Sequence, residues 1–83
     1  MGWYVYMLRC ADGSLYTGVT TDVARRFAEH KSGRGARYTR AHPPEAVVYR
    51  EACADRGAAL RREAAIKKLP RAEKQRLAEK EKE

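Results

Sequence analysis

Asparagine is absent from this chain, glutamine occurs once (Gln75), and there are two cysteines, one tryptophan, one phenylalanine and three prolines. Cys10 and Cys53 are too few for a disulfide scaffold or an all-cysteine zinc site, and both are expected as small buried residues. No apolar run approaches the roughly 20 residues that span a bilayer, so no membrane partner is expected. The first ten residues lack the basic start and long apolar run of a secretory signal, which makes a cytoplasmic setting the expectation. A chain of 83 residues suits one domain, 1–83, with a modest core. It leaves no room for a deep pocket, so no small-molecule cofactor is expected.

Positive charge is what the chain has in excess. Eighteen Lys and Arg against eleven Asp and Glu give a formal net charge of +7 and a pI near 9.8. Such a balance favours an anionic partner, because Lys and Arg on phosphates release condensed counterions. Charge alone does not separate DNA from RNA.

Trp3 to Cys10 is aromatic and partly β-branched, with both faces largely apolar, and reads as a strand covered on both sides. Ala11-Asp12-Gly13 signals a turn, and Ser14 to Thr20 reads as the returning strand. Thr20, Thr21 and Asp22 offer N-cap oxygens for a helix from about Asp22 to Ser32, with Gly33 as its stop. Residues 34–44 read as a basic loop or irregular turn, since Pro43-Pro44 disfavours regular structure. Ala46 to Arg50 is a third short strand. A helix is expected over Ala54 to Leu69, capped by Asp55. Pro70 ends it and opens a last charged helix to about Lys80, anchored by Leu77, whose final residues should fray.

Three constellations carry possible chemistry. The first depends on the hairpin turn. A two-residue Asp12-Gly13 loop puts Tyr6 and Tyr16 on opposite faces. A three-residue loop, with Gly13 left-handed, pairs Leu8 with Tyr16, Tyr6 with Gly18 and Tyr4 with Thr20. The two tyrosines then become diagonal neighbours, and Gly18 leaves open space over Tyr6. Strand tyrosines are more often packing residues with a wet hydroxyl. The second constellation is Arg26 and His30, about 40° apart on one helix edge, next to the stripe of Val23 and Phe27. They could grip and protonate a phosphate, or simply form a solvated rim. The third is Glu63, which shares the apolar azimuth of Ala59, Ile66 and Leu69. A carboxylate there needs a metal or a partner, and Lys67 at i+4 could be that partner.

Tyr4-Val5-Tyr6, Tyr16-Thr17-Gly18, Arg26 with His30, and a late Glu63 come in an order that resembles the GIY-YIG nuclease superfamily, and more closely its small stand-alone UPF0213 group. The resemblance runs from Trp3 to about Leu77. It implies an α/β (α+β) fold, a three-stranded antiparallel sheet flanked by helices in the order β-β-α-β-α-α. It also implies phosphodiester hydrolysis with one divalent metal, Mg²⁺ or Mn²⁺, in a DNA-repair or processing role. Carried over by position, Tyr6, Tyr16, Arg26, His30 and Glu63 would be catalytic, with Glu63 the metal ligand. Tyr6 would be the general base, with Tyr16 and His30 orienting water or relaying the proton. Tyr4 stands where the first motif commonly has Gly, and the asparagine that some members place after the glutamate has no counterpart here.

Gly18, Lys31, Arg34, Arg37, Tyr38, Arg40 and Lys67 are expected to contact nucleic acid, DNA in preference to RNA, with Tyr38 stacking a base. The alternative is a non-catalytic nucleic-acid-binding module on the same fold. A third reading is a basic protein-interaction domain.

Overall fold

A computed structural model describes residues 2–80. The elements are β1 (Trp3–Cys10), β2 (Leu15–Thr20), α1 (Val23–Lys31), α2 (Arg37–Ala41), β3 (Pro44–Cys53), α3 (Arg56–Lys67) and α4 (Arg71–Lys80). The strands form one antiparallel sheet in the order β2-β1-β3, with β1 in the centre.

The β1–β2 turn has the three-residue form. Tyr4 faces Thr20, Tyr6 faces Gly18 and Leu8 faces Tyr16. Gly13 has φ 86°, a left-handed conformation that a Cβ would strain. Its amide donates to the Cys10 carbonyl at 2.8 Å. Asp12 braces the turn by accepting from the Ser14 hydroxyl and amide, and it pairs with His42 at 2.7 Å. The Ser14 bonds, then His42, hold the Asp12 carboxyl down to about 2.

Period-two alternation sends β1 side chains to two separate cores. Val5 and Met7 pack with Val48, Tyr49 and Ile66, joined by Leu77 and Ala78, on the α3–α4 side. Tyr6 and Leu8 pack with Val23, joined by Tyr16 and Phe27, on the α1 side.

The helix caps follow the sequence. The Asp22 side chain accepts from the Arg25 amide, and Asp55 accepts from Ala58. The Pro70 carbonyl accepts from Glu73 and Lys74, opening α4. The fraying expected at the C-terminal end falls on residues 81–83, outside the described residues.

Three expectations need correction. Residues 34–44 are more regular than a basic loop, because 37–41 form α2. β3 begins at Pro44, well before Ala46, and runs to Cys53. Pro44 is tolerated because β3 is an edge strand and Pro44 is its first residue, where the ladder needs no amide. A register shift between Arg9 and Cys10 accommodates it, and the Pro43 carbonyl accepts from Ala11 at 2.8 Å. Cys10 is buried, whereas Cys53, at the end of an edge strand, is half-buried.

Candidate active site

β1 delivers Tyr6, β2 delivers Tyr16, and α1 lays His30 over both. The Tyr6 and Tyr16 ring centroids are 6.4 Å apart, Tyr6 and His30 6.1 Å, and Tyr16 and His30 5.1 Å. The expected open space over Gly18 is taken by Tyr6 itself. A Cβ on Gly18 would lie 2.7 Å from the Tyr6 hydroxyl oxygen and 3.1 Å from a Tyr16 ring carbon. Glycine here lets the phenol lie flat across β2.

A buried chain of hydrogen bonds runs through the cluster. The Tyr6 hydroxyl lies 2.8 Å from His30 Nε2, and His30 Nδ1 lies 2.7 Å from Thr39 Oγ1. The Thr39 hydroxyl donates to the Ala36 carbonyl at 2.9 Å, so its oxygen is left to accept from Nδ1–H. The Ala36 amide also approaches Nδ1, but at 3.4 Å, and loses that competition. His30 is therefore assigned the Nδ1–H tautomer, with its Nε2 lone pair facing the Tyr6 hydroxyl. Burial, then the nearby Arg26 charge, holds the His30 pKa below its ordinary value, against a smaller pull from Glu29. The imidazole is neutral at pH 7. Burial and Tyr16 push the Tyr6 phenol up to about 12, against the Arg26 guanidinium, which pulls it down.

Arg26 faces this cluster while bonded to Glu29 at 2.9 Å. That bond is the main reason its pKa rises. Glu63 stands apart from the others. It lies on α3, which packs with the opposite core, and its carboxylate pairs with Lys67 Nζ at 3.2 Å, the i+4 pairing open from the sequence. Its charge still reaches Tyr6 as a small upward push. The structure thus joins Tyr6, Tyr16 and His30 in ring contact, adds Arg26 beside them, and couples Glu63 through its field alone.

Two positions escaped the sequence reading. Thr39 is buried and orients His30. Gly35 gives His30 its space, since a Cβ there would fall 2.2 Å from Nδ1. Both lie in the stretch read as a loop, where a small residue carries no periodic signal. Of the expected nucleic-acid residues, Gly18 and Tyr38 touch the cluster, and Lys67 lies on α3 with Glu63. Arg37 and Arg40 are exposed on α2, Arg34 donates to the Ser32 hydroxyl, and Lys31 lies over the Phe27 ring. Tyr38 stacks between Tyr16 (5.9 Å) and His42 (4.2 Å).

The family model described as the GIY-YIG catalytic domain matches residues 2–77. The chain belongs to the GIY-YIG family. A UPF0213 protein of Desulfotalea psychrophila is 59% identical over 68 residues, which are 81% of this chain and 62% of that protein. One from Natronomonas pharaonis is 54% identical, covering 89% of this chain and 87% of its own. The solution structure of a UPF0213 protein from Bacillus halodurans is 47% identical, with a TM-score of 0.59, over 95% of this chain and 84% of that one. The sheet and helices of this GIY-YIG chain agree with the fold that the resemblance implied. The family is one of nucleases, which points to a nucleic-acid substrate.

GIY-YIG nucleases generally use a divalent metal. Among the described residues no three of His, Cys, Asp and Glu cluster as a ready cation site. Glu63 is the carboxylate whose charge reaches Tyr6, it is 19% exposed, and it already holds one cationic group. A single carboxylate of that kind fits a Mg²⁺ ion that keeps most of its water, and fits poorly a fully protein-ligated ion.

Proposed function

We propose that this chain is a metal-dependent endonuclease that hydrolyses nucleic-acid phosphodiester bonds, DNA in preference to RNA, in repair or processing. One domain spanning 1–83 and a cytoplasmic site of action belong to the same reading. The observation that carries it is the Tyr6–His30–Thr39 chain, in which a neutral imidazole faces a phenol beside a guanidinium.

A phenol with a pKa of about 12 is a poor base alone. Bonded to His30 Nε2, it can pass its proton to the imidazole while its oxygen takes a proton from the attacking water. Thr39 holds the ring in the tautomer this transfer needs. The water oxygen then bonds to phosphorus, the P–O bond to the leaving oxygen breaks, and solvent reprotonates that oxygen. Tyr16, in contact with both rings, orients the water. Arg26 stabilises charge growing on the phosphate oxygens. Glu63 would hold Mg²⁺ or Mn²⁺, which when bound supplies Lewis-acid polarisation of the phosphate. Lys67 would give up its bond to Glu63 in exchange.

The Glu63–Lys67 pair also favours a second reading, a non-catalytic binding module whose glutamate is purely structural. A cleavage panel of single-stranded, duplex, branched and RNA substrates with Mg²⁺ or Mn²⁺ separates the two. Tyr6→Phe and Glu63→Ala should each lower the rate by at least about 100-fold while leaving the circular dichroism unchanged. No cleavage of any substrate by the wild type would reject the nuclease reading. Cleavage that survives Glu63→Ala would reject the metal assignment.

A further inference from the structure

We propose that a second cleft, beside the tyrosine cluster, binds one unpaired nucleotide next to the phosphate that reacts. The proposal rests on the nucleic-acid reading above and adds a substrate class to it. The cleft has a volume of about 300 Å³ and is walled by Leu15, Tyr16, Thr17, Tyr38, Lys67 and Lys74. Those residues come from β2, α2, α3 and α4. They meet at the free edge of β2, where the two faces of the sheet come together.

Four observations point to a nucleotide. Tyr16 belongs both to this cleft and to the cluster, with its ring 5.1 Å from His30. A group in the cleft is therefore one aromatic ring away from the proposed proton relay. Lys67 and Lys74 bring two ammonium groups to one wall. Lys67 is shared with Glu63, but Lys74 is half-buried and has no ion-pair partner among the described residues. An unpaired, partly desolvated cation gains from an anion such as phosphate.

Tyr38, which lines the same cleft, is 38% exposed, the one large apolar side chain so exposed among the described residues. His42 covers one face of its ring at 4.2 Å, and Tyr16, near-parallel but offset at 5.9 Å, covers only part of the other, so a base would meet the uncovered part of that face and the ring edge. Finally, the Thr17 hydroxyl at the cleft wall is buried without a hydrogen-bond partner among the described residues. Buried hydroxyls are rarely left unmatched, and a phosphate oxygen or base edge would satisfy this one after a small shift. An exposed tyrosine and two lysines lining one cleft form a set that takes a base and its phosphate together. A cleft of about 300 Å³ suits one nucleotide and is too small to enclose a base pair with both of its sugar–phosphate arms. The substrate should thus carry single-stranded character beside the cut, as a free strand, flap or gap does.

The test is equilibrium binding by the full chain in EDTA, followed by fluorescence anisotropy. The probes are a short labelled DNA single strand and the same sequence as a blunt duplex. The single strand should bind about tenfold more tightly, within the range of one base–aromatic stack. Tyr38→Ala should erase most of that preference. Lys74→Gln should weaken single-strand binding several-fold and reduce the salt slope by about one. Thr17→Val, nearly isosteric, should weaken the single strand and spare the duplex. Tyr6→Phe should leave all affinities unchanged.

Equal or tighter duplex binding overturns the proposal. So does a Lys74→Gln protein with unaltered affinity and salt slope. Failure of the nuclease reading looks different: the binding pattern would persist while no substrate is cut. Failure of the cleft alone would leave Tyr6-dependent cleavage intact with no strand preference.

Discussion

Gly18 carries a constraint that its size hides. A methyl group there meets the Tyr6 hydroxyl at 2.7 Å, closer than real Cβ contacts come. Gly18→Ala should therefore destabilise the protein by about 1–3 kcal/mol, measured by urea unfolding, and displace the phenol from His30. The register that pairs Gly18 with Tyr6 follows from the turn, so this contact could be drawn from the sequence. Its meaning was reversed, because the space over Gly18 is filled by Tyr6. The pH dependence also belongs to single residues. His30 has a folded pKa below its ordinary 6.5, so below about that pH the unfolded chain binds more protons than the folded one. Stability should fall as pH drops through 6.5, until the folded value is reached. Tyr6 acts at the other end. With its pKa raised from 10.0 to about 12, stability should fall as pH rises from 10 towards 12. Thermal unfolding across pH 5 to 11, wild type beside Tyr6→Phe, checks both limbs: the variant should have a shallower alkaline limb, with a remainder from Tyr49 and Cys10, which burial also pushes up. Cleavage should likewise fade on acidification, since a protonated His30 cannot accept the phenol proton. A cleavage rate that rises below pH 6 would contradict that role.

At the scale of elements, α2 separates what could be read from what could not. β1, β2, α1 and α3 announce themselves through aromatic and β-branched runs, a Gly turn and two Asp caps, because those signals are local. α2 has five residues, no side-chain cap and only Thr39 buried, so neither periodicity nor capping marks it. Its job is tertiary: it carries Thr39 to His30 and Tyr38 to Tyr16. Thr39→Val keeps the shape and removes the hydroxyl. It leaves the His30 Nδ1–H buried without an acceptor, which should cost about 1–3 kcal/mol in urea unfolding. If the Nδ1–H tautomer matters for chemistry, the cleavage rate should fall about tenfold or more at a temperature where the variant is fully folded. Full activity there would remove Thr39 from the site. Glu63 shows the opposite limit. Its conflict with an apolar azimuth was legible, and so was Lys67 at i+4 as one of two resolutions, the one the structure shows. Helical position does not reveal that α3 lies across the sheet from the tyrosines.

The whole molecule sets a tyrosine–histidine face, with α1 and α2, against a face carrying α3 and α4, in a chain of net charge +7. Binding to nucleic acid should weaken steeply with salt, and a plot of log K against log salt measures how many phosphates are held. EDTA should abolish cleavage while leaving that slope nearly intact, because the basic residues, and not a bound ion, carry the contact. A slope near zero would indicate that the positive charge serves another partner. The central strand gives the hairpin an unusual intolerance. Surface turns generally accept added or missing residues. Here, Tyr4 to Leu8 of β1 alternate between the tyrosine side and the opposite core, and β2 must stay in step with them. Deleting Ala11 leaves a two-residue Asp12-Gly13 loop that keeps Cys10 opposite Ser14 and Tyr6 opposite Gly18, whereas deleting Leu15, between the turn and Tyr16, would move β2 one step and take Tyr16 and Gly18 to the wrong side of the sheet. For a library or an evolving lineage, the first residues of β2 thus behave as a reading frame: a single deletion between the turn and Tyr16 rewrites the site while leaving every residue of it in the sequence.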